Sequence, residues 1–567
     1  MSTKTKVKLP VGIESFDEIR TEGFYYIDKT NLIRDLLNGW GKVNLFTRPR
    51  RFGKSLNMSM LKSFFETGTD KRIFDGLSIC KETVMCEQYM GKYPVISVSF
   101  KGIQGEDFNT ARNVVVDIIN EEARRFQSLN NSKKLSRTDK AAFSALMNAN
   151  MSDSELYTSL KRFSEFLRKH YDQKVIILID EYDVPLAKAQ QKGYYDQMVM
   201  LIRNIFEHAL KSNNSLYFAV LTGCLRVSKE SIFTGLNNMK IFSITNVKCD
   251  EYFGFTDYEV KELLKYYDLS EHYDTTKEWY NGYRFGDADV YCPWDVINYV
   301  DDLYADSEAE PDEYWMHTSG NDIIRKFLEK SKLVTVKHQI ERLMEGEVIA
   351  RNVKEKLTYK EMYDSIENIW SVLFMTGYLT QKGKAKGRTM LLAIPNAEIR
   401  NIFSEEIMAY FLDSQQEDGN NLNILCDALK SGDAKKAEEQ FQGYLNRIIS
   451  IRDTAVQKDD KENFYHGMLL GILGFKETWG VSSNRESGDG YADVLIEIEE
   501  GDRDSKTGIV IEIKYSETEN MDSALNNALK QIEEKNYAGQ LISNGCSTII
   551  KYGIACHKKK CKVVLGA

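Results

Sequence analysis

The chain has 567 residues, of which 42% are hydrophobic and 28% charged, with a formal net charge of −9. Single cores stop growing at roughly 250–300 residues, so this composition predicts a multidomain globular protein. The acidic balance excludes a protein that coats nucleic acid through bulk charge, but not a local basic groove.

The N-terminal MSTKTKVKLP lacks the apolar core of a signal peptide. No window approaches the ~18 uninterrupted apolar residues of a membrane span. A cytoplasmic protein with no membrane partner is expected. The nine cysteines are scattered and odd in number, and read as reduced thiols rather than disulfides or a zinc site.

In chain order, 42-KVNLF-46 reads as a short strand, and 55–66 places Leu56, Met60, Leu61 and Phe64 at helical spacing. Between them, 47-TRPRRFGKSLN-57 ends like the phosphate loop G-x-x-x-x-G-K-[ST] but has Arg48 at the first glycine position, followed by Pro49. Gly53 permits a tight turn. Lys54 and Ser55 open the helix, whose N-terminus favours anions, with Ser55 able to hold Mg²⁺. Arg48, Arg50 and Arg51 add positive charge where phosphates would lie, while Pro49 removes one N–H donor.

The runs 94-PVISVSF-100, 174-KVIILID-180, 216-LYFAVLT-222 and 241-IFSIT-245 read as further strands, separated mostly by helices such as 155–171. Such alternation predicts a parallel sheet covered on both faces. The run 175-VIILIDEYD-183 resembles a Walker B strand, with Asp180 placed to hold Mg²⁺ and Glu181 to polarise water. Thr222 and Arg226 follow another strand and are candidates to meet the terminal phosphate. A basic turn also serves as a solvated cap, and an acid pair after a strand as a helix N-cap. The order and placement of both motifs together favour a nucleotide site.

Thr256 and Glu259 form a capping-box pattern that starts a helix near 254–267. The aromatic stretches 279-WYNGYRFG-286 and 291-YCPWDVINYV-300 continue a small helical region, and 320–460 reads as mostly helical. From about 461 a helix precedes two β-rich runs, 492–499 and 508–515, and a second helix near 521–534. Residues i and i+2 of a strand share a face, so Glu512 and Lys514 project together. If the two runs pair, Asp493 approaches them, and the two carboxylates can hold Mg²⁺ for phosphodiester hydrolysis. A charged edge-strand face reads the same way in isolation. The terminal 557-HKKKCK-562 reads first as a solvated end and otherwise as a source of phosphate contacts.

The combination RPRRFGKS, VIILIDEYD, TGCLRVSKESIFTGLNN, WYNGYRFG and YCPWDV resembles the predicted AAA-ATPase-like family of prokaryotic proteins, which commonly carries a C-terminal domain of the PD-(D/E)XK nuclease superfamily. The resemblance implies an α/β protein: a P-loop AAA-like parallel sheet, a helical middle and a small α/β restriction-endonuclease-like domain. The expected divisions are 1–248 (ATPase core), 249–330 (helical lid), 331–460 (helical linker or partner module) and 461–567 (nuclease-like domain). It implies ATP and Mg²⁺ as cofactors, bound by Arg50, Arg51, Gly53, Lys54, Ser55, Asp180, Thr222 and Arg226. Catalytic roles are expected for Glu181 and for Asp493, Glu512 and Lys514, supported by Glu462, His466, Glu486 and Gln531. Where related sequences often have G-R-x-D, this chain has 490-GYAD-493. The expected activity is that of an ATPase linked to a Mg²⁺-dependent nuclease. Nucleic acid, DNA before RNA, is the expected partner, and AAA-like ATPases often act as homo-oligomers. The alternative is a nucleotide-switched signalling or scaffold protein whose last domain binds nucleic acid without cutting it.

Overall fold

The computed structural model describes residues 6–225, 231–233, 239–315, 322–330, 334–384, 387, 389–416, 419–447, 458–474, 476, 478–483, 493–499, 506–535 and 537–566. The chain forms two compact units, each assembled from two segments: Met1–Gly320 with Ala350–Ile399, and Asn321–Ile349 with Arg400–Ala567.

The first unit is built on β1 (Val43–Thr47), β2 (Val95–Ser99), β3 (Val175–Asp180), β4 (Leu216–Gly223) and β5 (Met239–Phe242), in the order β2-β3-β4-β1-β5. All four pairings are parallel. Every residue of β1 and β3 is buried, as expected of strands covered on both faces. The order sets β4 between the loop-bearing β1 and the acid-bearing β3, so all three ends open at one edge of the sheet. β5 stops at Phe242, short of the expected 245, because Asn246 accepts from the Ser243 N–H and hydroxyl and turns the chain.

Helix α1 (Lys54–Phe65) follows the loop directly. Ser152 and Glu155 cap α2 (Asp153–Tyr171), and Thr256 and Glu259 cap α3 (Asp257–Tyr267), both as full capping boxes. Beyond α3, Phe255–Thr256, Tyr283–Phe285 and Ala288–Tyr291 form a three-stranded sheet leading into α4 (Pro293–Ala305). A second small sheet of Ile349–Asn352, Thr380–Gln381 and Thr389–Ala393 interrupts the region expected to be mostly helical. Strands of two to five residues carry too little periodicity to be read from sequence.

The second unit centres on a mixed sheet: β6 (Trp479–Ser483), β7 (Asp493–Glu499), β8 (Lys506–Tyr515), β9 (Cys546–His557) and β10 (Lys560–Leu565), side by side in that order. β8 and β9 are parallel and the other pairs antiparallel. Ile509, Ile511, Ile513 and Tyr515 pack into the larger core with α6 (Lys458–Gly474) and the helices Gly419–Ser431 and Ala434–Arg447. Val510 joins a smaller core on the opposite face, beneath α7 (Asp522–Glu534). The expected alternation along this strand is therefore realised.

The basic cluster 557-HKKKCK-562 is a hairpin turn and the start of β10, with Lys558, Lys560 and Lys562 exposed to solvent. Lys559 pairs with Glu341 at 2.5 Å, Lys560 with Glu519 at 2.9 Å and Lys562 with Asp522 at 2.8 Å. Among the described residues no helix is long and apolar enough to cross a membrane.

Candidate active sites

At the carboxyl end of β1 the chain makes a tight loop in which Arg51 (φ 68°) and Gly53 (φ 69°) both take left-handed conformations. Gly53 then caps α1. Only glycine enters this region without strain, so Arg51 is held there by its contacts. Its guanidinium lies 4.9 Å over the Trp294 ring and donates to the Tyr314 carbonyl.

Lys54 is 4% exposed, and its ammonium donates to the Pro49 carbonyl at 2.8 Å. Ser55 Oγ donates to Asp180 Oδ2 at 2.6 Å, and the Thr222 hydroxyl donates to Asp180 Oδ1. The three strand ends are thus tied through one carboxylate. Glu181 also has positive φ (50°), and its N–H donates to Thr222 Oγ1 at 3.2 Å. Burial raises the Glu181 carboxyl above its usual range, against the pull of Lys54.

These groups line one end of a cleft of about 710 Å³. Arg50, Arg51, Gly53, Lys54, Ser55 and Glu181 border it, joined by Lys101 and Lys188. Tyr25, Tyr26, Ile27, Phe255, Trp294 and Ile297 supply an apolar wall. A cation-rich end and an aromatic end in one cleft suit a ligand with a polyphosphate and a flat ring. Neither Lys101, Lys188 nor the wall was singled out from sequence. The run 24-FYYID-28 and the quoted 291-YCPWDVINYV, which carries Trp294 and Ile297, are the visible hints of that wall.

Arg48 departs from expectation. It is fully buried and donates to the carbonyls of Thr47 (2.8 Å), Phe242 (2.9 Å) and Cys249 (3.1 Å). Its guanidinium also lies 5.1 Å from the Phe253 ring and 5.3 Å from that of Phe285. Burial lowers its pKa to about 10. It staples β1 to the chain beyond β5 and does not face the cleft. Asp183, quoted within VIILIDEYD but given no role, is fully buried. It accepts from the N–H groups of Cys224 (3.0 Å) and Leu225 (2.9 Å) and from the Tyr359 hydroxyl (3.1 Å). It thereby fixes the turn after Thr222. A Cβ on Gly223 would stand 2.6 Å from Asp183 Oδ1, so the turn requires glycine there. Arg226 lies outside the described residues.

In the second unit the register pairs Asp493 directly with Glu512, which sets both on one face of the sheet. Glu512 is fully buried, and its Oε2 has no hydrogen-bond donor. Lys514 Nζ lies 2.9 Å from Glu512 Oε1 and 3.4 Å from Glu462 Oε2. Glu462 Oε1 accepts the Tyr515 N–H at 3.0 Å, which anchors α6 to the end of β8. His466 is buried one turn further along α6. Gln531, near the end of α7, is half-buried, and no hydrogen bond joins it to Glu512 or Lys514. The side chain of Asp493, and Glu486 as a whole, lie outside the described residues. A buried carboxylate with one oxygen on a lysine and the other idle is what a hard cation would complete. The residues present therefore fit a divalent metal.

These two constellations on these two sheets define a protein with a P-loop nucleotide domain and a nuclease-type domain. Residues 10–233 match the family model described as predicted AAA-ATPase, and residues 460–565 match that of the PD-(D/E)XK nuclease superfamily. The chain thus joins an AAA-ATPase-like domain to a PD-(D/E)XK nuclease superfamily domain. It is also 25% identical over 455 residues, 78% of each chain, to a protein of Azotobacter chroococcum mcd 1 described as "Uncharacterized protein in vnfD 5'region".

Proposed function

We propose that the chain binds and hydrolyses ATP in the cleft of the first unit and cleaves phosphodiester bonds of nucleic acid, DNA before RNA, in the second. On this reading residues 1–248 are the ATPase core, 249–330 its lid and 461–567 the nuclease. Lys54, Arg50 and Arg51 meet the phosphates, and Ser55 and Asp180 hold Mg²⁺. Thr222 and Arg226 lie toward the terminal phosphate, and Glu181 orients the attacking water. The raised proton affinity of Glu181 suits a group that takes a proton as the water attacks.

In the second unit Asp493 and Glu512 would hold Mg²⁺, which when bound supplies Lewis acidity and charge neutralisation at the scissile phosphate. Lys514 orients water and balances phosphate charge, and Glu462 holds the lysine in place. The observation that carries the nuclease reading is the fully buried Glu512, with Oε1 2.9 Å from a lysine and Oε2 idle, paired in register with a second acid.

The deciding experiment is an activity screen on single- and double-stranded DNA and RNA, with and without ATP and Mg²⁺, on wild type, Lys54→Ala and Lys514→Ala. The expected result is Mg²⁺-dependent cleavage that Lys514→Ala abolishes while ATP binding survives. Absence of cleavage of every substrate by wild type would overturn the nuclease reading. Metal-independent binding would then favour the nucleotide-switched scaffold.

A further inference from the structure

Three motifs of the first unit converge behind the phosphate loop, and the catalytic reading uses only one of them. Asp295, in the first turn of α4, is fully buried, and neither of its oxygens has a hydrogen-bond donor. Glu398 is equally buried. Its Oε1 accepts the Trp315 N–H at 2.8 Å, and its Oε2 has no donor. Arg51 faces the pair with Nη2 buried and unpartnered. Two adjacent buried carboxylates with three idle oxygens are untenable as a double anion, and a single proton held between them resolves the conflict. Burial lifts both, Asp295 to about 6 and Glu398 well above its ordinary value, and each lies within hydrogen-bonding reach of the other. The thiol of Cys292, buried beside them, donates to the Arg51 carbonyl at 3.8 Å.

The sequence is built to assemble this cluster. Gly282 (φ 97°) lies so close to the 395–398 segment that a Cβ would stand 2.0 Å from the Pro395 carbonyl oxygen. Asn396 Nδ2 donates to the Asn281 carbonyl at 2.9 Å, and Asn396 Oδ1 accepts the Ile399 N–H at 3.0 Å. The WYNGYRFG stretch therefore seats the start of helix α5 (Ala397–Gln416) and delivers Glu398. YCPWDV supplies Cys292, Trp294 and Asp295. Phe52 of the loop stacks edge-on against Tyr283 at 4.9 Å. Arg51 borders the same cleft as Lys54 and Ser55.

We propose that Arg51 is a nucleotide-sensitive latch, for whose guanidinium the singly protonated Asp295–Glu398 pair competes with the terminal phosphate of a bound nucleoside triphosphate. The proposal rests on the nucleotide reading of the cleft. Asp295 and Glu398 are positioning residues, acting through Arg51. Occupancy of the cleft by a triphosphate is then felt at α4 and at the first turn of α5, whereas a diphosphate leaves the latch closed.

The test is an equilibrium titration of the full chain with fluorescent ATP and ADP analogues. Asp295→Asn combined with Glu398→Gln removes the competing charge, which either replacement alone would leave on the remaining carboxylate, and tightens ATP by about fivefold or more while leaving ADP within about twofold. Arg51→Gln serves if the double variant does not fold: it erases the ATP-over-ADP preference, and adding the double replacement to it has no further effect. Equal shifts for ATP and ADP, or an effect of the double replacement that persists without Arg51, would reduce the pair to a structural role and overturn the latch. An unchanged ATP-over-ADP preference in Arg51→Gln would overturn it equally. Undiminished nucleotide binding by Lys54→Ala would instead fault the nucleotide reading itself.

Discussion

The nucleotide cleft and the nuclease face meet the same problem, charged groups withdrawn from water, in opposite ways. In the cleft the polar atoms are already one another's partners: Ser55 and Thr222 both donate to Asp180, and Lys54 donates to the Pro49 carbonyl. Binding there exchanges internal hydrogen bonds for ligand bonds. In the second unit Glu512 is fully buried, with the Lys514 ammonium 2.9 Å from Oε1 and no donor at Oε2. A buried charge left so is costly, and persists where a cation completes it. The first site is preorganised around itself, the second around something it must acquire.

The largest expected effect breaks the second site and spares the first. Lys514→Ala leaves Glu512 and Glu462 facing each other without a cation between them. Nucleic-acid cleavage falls by about 10³-fold or more, while ATP affinity is unchanged, as a paired cleavage assay and nucleotide titration would read. Loss of both together would mean that the two sites are not separable. The next effect runs the other way. Glu181→Gln lowers ATP turnover by about 10²-fold with ATP affinity within a few-fold, because the residue acts on water and not on the phosphates. A matching rise in KM would place Glu181 in binding instead.

The contrast also explains what the sequence could and could not disclose. The strands β1 to β4 were legible because continuous apolar runs ending in chemistry-bearing residues have few other readings. Their order was not, since nothing local says that β4 lies between β1 and β3. Glu512 and Lys514 followed from strand alternation alone. That Glu462 reaches Lys514 was visible only as an acid on a preceding helix, because the contact spans 52 residues. Arg48 misled because three arginines within four residues look alike by composition. The backbone turn separates one that staples the core from two that border the cleft. The ion pairs of the basic end were not legible because its acidic partners, Glu341, Glu519 and Asp522, lie elsewhere in the chain.

Asp295 shows that the first unit also contains charge it cannot settle internally. Its carboxyl is raised to about 6 by burial, opposed by contacts with Cys292, Glu398 and Arg51. Between its ordinary value near 4 and that raised value, the folded state binds the proton and the unfolded state does not. The site therefore costs nothing at pH 4, loses stability as the pH rises through 6, and carries its full penalty above it. Asp295→Asn removes the Asp295 part of the dependence and leaves that of Glu398, which burial raises in the same direction. Its stability relative to wild type grows by up to about 3 kcal/mol from pH 4 to pH 7, as chemical denaturation at each pH would measure. A pH-independent difference would mean that the pair does not titrate in that window.

The smallest effect is the most direct probe of the contrast between the sites. If Glu512 awaits a cation, Mg²⁺ or Mn²⁺ added without nucleotide stabilises the second unit by mass action, about 1.4 kcal/mol at ten times the dissociation constant. Glu512→Gln keeps the shape of the side chain and removes its charge. In a chelator the variant melts at or above wild type, because a neutral amide replaces a fully buried carboxylate with one oxygen undonated, while Glu462 still pairs with Lys514. With metal present wild type gains stability and the variant does not. A variant less stable than wild type in chelator would show that the Lys514 ion pair alone suffices for Glu512, and the two sites would then differ in chemistry but not in how they hold their charge.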